Sequence, residues 1–213
     1  SVYWWNKVAT YAQRKPSPLN GFDLFNYMAL IVCARARDYA EITFHKFADE
    51  LEAKDAAGQY AFGAPENEKH RVTWEGIAVW TYLGATFKGL KNQGAVMTGS
   101  AYPGLWSLVY TPGDLESMAE AYTNVYINTC GPNRYEEFYK VVKNSKSDGI
   151  VLHLNRSCKL MGLLNNEGAE YVNAKMGVPY VSFDGDQTDP RVFTPAQYET
   201  RVQALTEMMD ENQ

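Results

Sequence analysis

The sequence has few cysteines, no long apolar run and no excess of positive charge. Cys33, Cys130 and Cys158 are widely spaced, which argues against a disulfide scaffold and favours a reducing, cytoplasmic setting. Because no run of about 18 apolar residues is present, we expect no membrane-spanning helix. Acidic residues (25) outnumber basic ones (20), and this net charge of -5 argues against nucleic acid as the main partner.

Several catalytic signatures are also missing. The sequence contains neither a Gly-x-Gly-x-x-Gly fingerprint nor a Walker-type loop, the glycine-rich elements that bind nucleotide phosphates. It has no Gly-x-Ser-x-Gly elbow for a serine hydrolase and no Cys-x-x-Cys redox pair. We therefore expect the chemistry to depend on a cofactor or to be shared with a partner.

The apolar pattern predicts an α/β fold. Residues 1–69 have mostly helical spacing, whereas short apolar strands alternate with amphipathic helices from His70 onwards. Strands are predicted at residues 71–74, 94–98, 149–154 and 178–183. The alternation implies a Rossmann-like, doubly wound parallel sheet of about four strands with helices on both faces, preceded by a helical segment. We divide the chain into this segment, residues 1–69, and an α/β domain, residues 70–213.

Capping patterns predict where two of the helices begin. Thr111 before Pro112 is expected to cap one helix, and Thr194 with Gln197 is expected to form a capping box at the last. Between them, one continuous helix is predicted from Cys158 to about Met176.

Polar residues follow the predicted strands at their carboxyl ends, where open parallel sheets bind ligands. We expect four groups to converge there: Trp74 and Glu75, Thr98 and Ser100, His153 with residues 155–158, and Asp184 with Asp186.

Cys158 is the strongest chemical candidate among them. Cys158 is predicted at the N-terminus of a helix, where free N–H groups and the helix dipole favour an anion. Arg156 and Lys159 add positive charge. These surroundings favour a thiolate, which can bind a metal or attack an electrophile. From the residues alone both roles remain open, as does that of an ordinary half-buried cysteine.

The other cysteines and histidines have ordinary structural interpretations. Cys33 is expected in the core, and Cys130 is expected to be structural at a helix end, although a position near Cys158 is conceivable. His153 either accompanies Cys158 or is a buried, hydrogen-bonded imidazole. His45 and His70 are expected to be surface residues or satisfied polar residues.

The acidic turn after the fourth strand has two interpretations. Asp184 and Asp186 could bind a cation. Acidic turns after strands are common, however, so a loop role is the better prediction unless Asp186 or Asp189 caps a helix or pairs with Arg191.

Together these motifs resemble the 2-hydroxyacyl-CoA dehydratase family, whose relatives include benzoyl-CoA reductase subunits. The resemblance is carried by residues 148–153 and Asn155-Arg156-Ser157-Cys158-Lys159, and by residues 184–191. Further matching segments are residues 15–18, 74–77, 121–124 and 126–128, so the likeness runs along nearly the whole chain in order.

The resemblance implies a subunit of an iron–sulfur (R)-2-hydroxyacyl-CoA dehydratase. Such subunits have Rossmann-like lobes, form heterodimers and hold a [4Fe-4S] cluster through three cysteines, of which Cys158 matches the last. A separate ATP-dependent iron–sulfur activator supplies one electron. This electron converts the acyl-CoA substrate to a ketyl radical that expels hydroxide, and its return leaves an enoyl-CoA. An aryl-CoA reductase-type subunit and a non-catalytic assembly or CoA-binding module are the alternatives.

The resemblance also suggests roles for individual residues, and it shows that two of the family's cysteine ligands have no counterpart in this sequence. Cys158 would ligate the cluster, and Ser157 and Glu75 are the candidate catalytic residues. Substrate contacts are expected from Asn155, Arg156, Lys159, Trp74 and Asp184.

The family's other two cysteine ligands belong to an N-terminal lobe that residues 1–57 do not supply. We therefore expect this chain to be the C-terminal portion of a longer subunit, and to be inactive and metal-free alone.

Overall fold

The computed structural model describes residues 1–212 and has an α/β architecture. Before the sheet lie the helices α1 (Val2–Tyr11), α2 (Gly21–Cys33) and α3 (Asp38–Ala56). The strands are β1 (His70–Glu75), β2 (Ala95–Ser100), β3 (Gly149–Asn155) and β4 (Tyr180–Gly185). The remaining helices are α4 (Leu83–Asn92), α5 (Ala101–Gly104), α6 (Leu115–Thr123), α7 (Gly131–Ser145), α8 (Lys159–Gly162), α9 (Asn165–Met176) and α10 (Pro195–Glu211). Short 3₁₀ turns lie at Pro65–Asn67, Trp80–Tyr82 and Tyr126–Asn128.

The four strands form one parallel sheet in the order β2-β1-β3-β4. All six residues of β1 are buried, as expected for a parallel strand covered on both faces. On one face, the core contains Val151 and Trp74 with residues of α2, α4 and α10. On the other, Ile150 and Leu152 pack against α7 and α9. The predicted parallel α/β sheet with a helical N-terminal segment is confirmed.

The helical segment packs directly on the sheet. Phe22 and Phe25 of α2 belong to the same core cluster as Trp74, while the opposite side of α2 packs with α1 and α3. Arg71 of β1 donates hydrogen bonds to the Ala12 and Arg14 carbonyls. The helices are thus fixed to the sheet by apolar and polar contacts, and a domain boundary at residue 69 remains a prediction.

One predicted helix start and one predicted capping bond differ from the structure. Helix α6 begins at Leu115 with Asp114 as its cap, because Gly113 at φ 84° turns the chain between Thr111 and Asp114. The Asp114 carboxylate accepts hydrogen bonds from the amides of Glu116 and Ser117. Helix α10 does begin at Pro195, but in the described part of the chain the Thr194 side chain makes no capping hydrogen bond.

The predicted helix from Cys158 to Met176 is in fact two helices. One turn, α8, ends at Gly162, and α9 begins at Asn165 after a break at Leu163 and Leu164. Cys158 therefore caps a single helical turn, which carries much less of a dipole than the predicted long helix.

No helix within residues 1–212 combines the length and apolar character that crossing a membrane requires.

Candidate functional site

The carboxyl ends of β3 and β4 are joined by a network centred on Asn155. Its side-chain oxygen accepts hydrogen bonds from the Ser157 amide (3.3 Å) and the Gln187 amide (3.3 Å). Its side-chain nitrogen donates to the side-chain oxygen of Gln187 at 3.2 Å. The Arg156 amide adds a bond of 3.1 Å to the Gly185 carbonyl. Because Asn155 is buried and occupied in this way, it shapes the turn that carries Cys158.

Asp186 anchors the same turn from the β4 side. Its carboxylate accepts hydrogen bonds from the Ser157 hydroxyl and from the amides of Thr188 and Asp189, the two amides both at 2.9 Å. These donors hold the pKa of Asp186 well below its ordinary value, and the Ser157 hydroxyl makes the largest contribution. Asp186 thus holds the loop after β4, and Asp189 pairs with Arg191 at 2.7 Å, which is the exception to a plain loop role that the sequence left open.

Cys158 lies half-exposed where β3 passes into α8. Its carbonyl accepts the Gly162 amide at 3.0 Å, which closes the single turn of α8. The side chain packs beside a small apolar cluster formed by Ile77, Leu105 and Met161. Tyr102 packs against the same cluster. Burial, and to a smaller extent the negative charge of Cys158, raises the pKa of the Tyr102 phenol.

Arg156 and Lys159 flank Cys158 with exposed side chains. Both remain open to a ligand at this edge. Asp184 is exposed as well and lines a neighbouring pocket of about 530 Å³ with Gln197 and Arg201.

Glu75 lies in a buried polar cluster below this turn. Its Oε1 accepts a hydrogen bond from the Tyr126 hydroxyl at 2.8 Å and lies 3.8 Å from the Arg134 guanidinium. Its Oε2 has no hydrogen-bond partner among the described residues. Burial raises the pKa of Glu75 to about 7, against the opposing effects of Arg134 and Tyr126. Glu75 is 0 % exposed, so its carboxyl group can affect a ligand at the strand-end surface only through the side chains that contact it.

Trp74 does not lie at the surface where a substrate contact was predicted. Successive strand residues point to opposite faces, so Glu75 and Trp74 cannot share one surface. Trp74 is 0 % exposed and packs edge-on against Phe22 and Phe183 in the core. Its position suits packing rather than contact with a substrate.

The cysteines within residues 1–212 belong to no group of three side chains placed to hold a metal. Cys33 is exposed at the end of α2, so the prediction that it lies in the core is wrong. Cys130 is exposed and caps the start of α7.

His153 is the buried, hydrogen-bonded imidazole that one of the two interpretations predicted. It contacts the Ile77 carbonyl through Nδ1 and stacks on Phe183, and burial lowers its pKa. His45 is exposed and stacks on Trp4, whereas His70 is buried with its Nε2 3.3 Å from Asp210.

Sequence reasoning missed Arg134, Tyr126 and Asn165, which complete the cluster around Glu75. The signal for Arg134 was its spacing, since Arg134, Phe138, Val142 and Ser145 form the buried face of α7. A charged residue on an apolar helix face needs a buried counter-charge, and this need pointed to a partner such as Glu75.

A complete iron–sulfur cluster does not fit the residues that the structure describes. Residues 1–212 contain no group of three histidine, cysteine or acidic side chains placed to hold a metal. A [4Fe-4S] cluster takes about four thiolate-type ligands. Cys158 fits as one ligand at an exposed turn, and the other ligands would have to come from elsewhere.

Comparison with known proteins places these features in context. A family model described as "2-hydroxyglutaryl-CoA dehydratase, D-component" matches residues 2–209. The chain is 62 % identical to lactoyl-CoA dehydratase subunit alpha of Anaerotignum propionicum over 100 % of this chain and 50 % of that protein. It is 43 % identical to the (R)-2-hydroxyisocaproyl-CoA dehydratase alpha subunit of Clostridioides difficile, over 98 % of this chain and 50 % of that protein.

A more distant relative is a benzoyl-CoA reductase polypeptide of Thauera aromatica, 23 % identical over 94 % of this chain and 49 % of that protein. The chain thus spans about half the length of each of these relatives. The match of the family model to nearly the whole chain shows that the chain belongs to the family of the 2-hydroxyglutaryl-CoA dehydratase D-component.

Proposed function

We propose that this chain is the C-terminal part of a subunit of an (R)-2-hydroxyacyl-CoA dehydratase. The reaction removes water from a 2-hydroxyacyl-CoA and leaves an enoyl-CoA, so the enzyme is a hydro-lyase. The observation that carries the proposal is the likeness along the whole chain to dehydratase alpha subunits, up to 62 % identity. The half-exposed Cys158 turn at the carboxyl edge of the sheet supplies a site of the required kind.

Cys158 is proposed as one thiolate ligand of a [4Fe-4S] cluster. The cluster would supply one-electron chemistry at low potential. Because residues 1–212 offer no further group of ligands, the remaining cysteines are proposed to come from a part of the subunit outside this chain. The chain alone is then inactive and free of metal.

The substrate contacts are proposed to come from the exposed side chains near Cys158. Arg156 and Lys159 are cations at this edge and suit the phosphates of an acyl-CoA. Asp184 is exposed at the neighbouring strand end. Ser157 has its hydroxyl engaged by Asp186, so a catalytic role for Ser157 requires that bond to open.

The proposal includes partners. The relatives are alpha subunits, so a second dehydratase subunit is proposed to pair with the one that contains this chain. A separate ATP-dependent iron–sulfur activator would supply one electron to the thioester. The resulting ketyl radical expels hydroxide, loses a proton and returns the electron, so the elimination is redox-neutral overall.

Product analysis tests the proposal. The subunit that carries this chain would be combined with its partner subunit and reduced activator, then incubated with a panel of (R)-2-hydroxyacyl-CoA thioesters. We expect enoyl-CoA and water from at least one thioester, and loss of product with Cys158→Ser. Reduction of an aromatic acyl-CoA ring without elimination would favour the aryl-CoA reductase alternative. Thioester binding without any turnover would favour the non-catalytic module.

A further inference from the structure

Arg134 links four elements that meet beneath the Cys158 turn. Its guanidinium donates hydrogen bonds to the Leu160 carbonyl at 2.7 Å and to the Met161 carbonyl at 3.4 Å, both in α8. It also donates to the Asn165 side-chain oxygen at 3.2 Å, at the start of α9. The same group lies 4.7 Å from the centre of the Tyr126 ring and 3.8 Å from the Glu75 carboxylate.

The contacts to α8 matter because α8 has only four residues. A single helical turn is unstable alone, since fixing its backbone gains few hydrogen bonds. Its last carbonyls also lack intrahelical partners. Arg134 satisfies two of them, and the other end of the turn is closed by the bond between Cys158 and Gly162. The position of the Cys158 thiol therefore depends on a residue of a different helix.

The guanidinium is itself fixed by the residues around it. Arg134 is 2 % exposed, and a buried cation is retained only where charges and hydrogen bonds compensate for lost water. Glu75 provides the counter-charge and Tyr126 provides both a ring face and a hydrogen bond to Glu75. Removing the charge of Glu75 should therefore loosen Arg134 and, through it, α8.

We propose that Arg134 is a positioning residue for Cys158, and that Glu75 and Tyr126 hold its guanidinium under α8. The inference rests on the proposed function, in which Cys158 is a cluster ligand that must meet ligands from another part of the subunit. Glu75 thereby acts through Arg134 and is a positioning residue rather than one that touches substrate.

The test measures the reactivity of Cys158 in this chain without any cluster. In a Cys33→Ser, Cys130→Ser background, Cys158 is the only thiol, and its alkylation by iodoacetamide is followed by mass spectrometry across pH. Hydrogen exchange of the peptide covering residues 157–164 is measured in parallel. With Arg134→Gln we expect both rates to rise about tenfold, because two hydrogen bonds to α8 are lost and local opening becomes easier.

A control on the same helix separates positioning from general destabilisation. Val142→Ala removes buried methyl groups from α7 but leaves the Arg134 contacts in place, so it should change both rates less than about twofold. Lysine at position 134 keeps the charge but cannot form the two-carbonyl fork, so Arg134→Lys should give an intermediate increase. Arg134→Lys also decides the question if Arg134→Gln does not fold.

Rates for both Arg134 variants equal to those of Val142→Ala would overturn the proposal. This outcome is independent of the proposed function, because no cluster or substrate is involved. Conversely, if the whole subunit with Cys158→Ser still binds a stoichiometric cluster, the proposed ligand role is refuted. The result on the position of the Cys158 thiol is not affected by that outcome.

Discussion

Two polar clusters hold the Cys158 turn from opposite ends, and they are built differently. On the N-terminal side, Ser157 is bound by Asp186, whose carboxylate also accepts two backbone amides. On the C-terminal side, α8 is bound by Arg134, whose counter-charge Glu75 has one oxygen without a partner among the described residues. The first cluster is well satisfied and the second incompletely so.

This difference has an electrostatic consequence. Hydrogen-bond donors stabilise the charged form of Asp186 and lower its pKa, whereas burial disfavours the charged form of Glu75 and raises its pKa to about 7. Near neutral pH the first cluster is therefore fixed in one protonation state. The second is close to its titration midpoint and should respond to small changes in pH.

The largest expected effect comes from the second cluster. Arg134→Gln should lower the free energy of unfolding by about 3 kcal/mol, because it removes a buried cation and leaves the groups around it unpaired. Urea denaturation at pH 7 measures this loss. A loss below about 1 kcal/mol would show that Arg134 is not the centre of the cluster.

The next prediction concerns the pH dependence of Glu75. Its native pKa of about 7 lies above the ordinary value of 4.5, so the native state binds more protons than the unfolded state between these values. Wild-type stability should therefore fall through this window as pH rises. Glu75→Gln does not titrate, so its stability relative to wild type should increase with pH by on the order of 3 kcal/mol.

Taking this difference between the two proteins also removes the contribution of His153. Burial lowers the pKa of His153, so its contribution to stability rises with pH up to about 6.5 and opposes that of Glu75. Urea titrations of both proteins from pH 4.5 to 8 provide the measurement. A difference that does not change with pH would contradict the raised pKa of Glu75.

A smaller loss is expected in the first cluster. Asp186→Asn should reduce the free energy of unfolding at pH 7 by about 2 kcal/mol, because hydrogen bonds to a charged acceptor are replaced by weaker ones. The native pKa of Asp186 lies below the ordinary value of 3.8, so the stabilisation is present above that value and is lost as pH falls through the native pKa. Equal stability of the variant and wild type at pH 7 would contradict this account.

The smallest expected effect is that of Ser157→Ala. It removes one hydrogen bond while Asp186 keeps both amides, so the expected loss is about 1 kcal/mol by thermal or urea unfolding. The matched control is Arg191→Gln, an exposed change that removes the ion pair to the Asp189 carboxylate but no hydrogen bond to Asp186, and it should leave the unfolding midpoint nearly unchanged. A loss as large as that of Asp186→Asn would show that the hydroxyl dominates the cluster.

Much of the fold followed from the sequence because buried parallel strands are short apolar runs between amphipathic helices. The same reasoning placed Asn155, Asp184 and Asp186 at one edge, since parallel strands end together. Neighbours in a strand point to opposite faces, and applying that rule would have shown from the sequence that Trp74 and Glu75 cannot share one surface.

What the sequence did not reveal depends on contacts far apart in the chain. The break after α8 could not be predicted locally, because Arg134 binds carbonyls 26 and 27 residues away. The charge on the buried face of α7 was a visible signal, but its partner lies on β1, 59 residues earlier by residue number, from 75 to 134. Pairing of that kind is fixed by tertiary structure.

The most direct test of the central claim is the content of iron and acid-labile sulfide in this 213-residue chain after anaerobic reconstitution. We predict much less than one cluster per chain, because Cys158 alone cannot hold a [4Fe-4S] cluster. A stoichiometric cluster bound to the chain by itself would contradict the account.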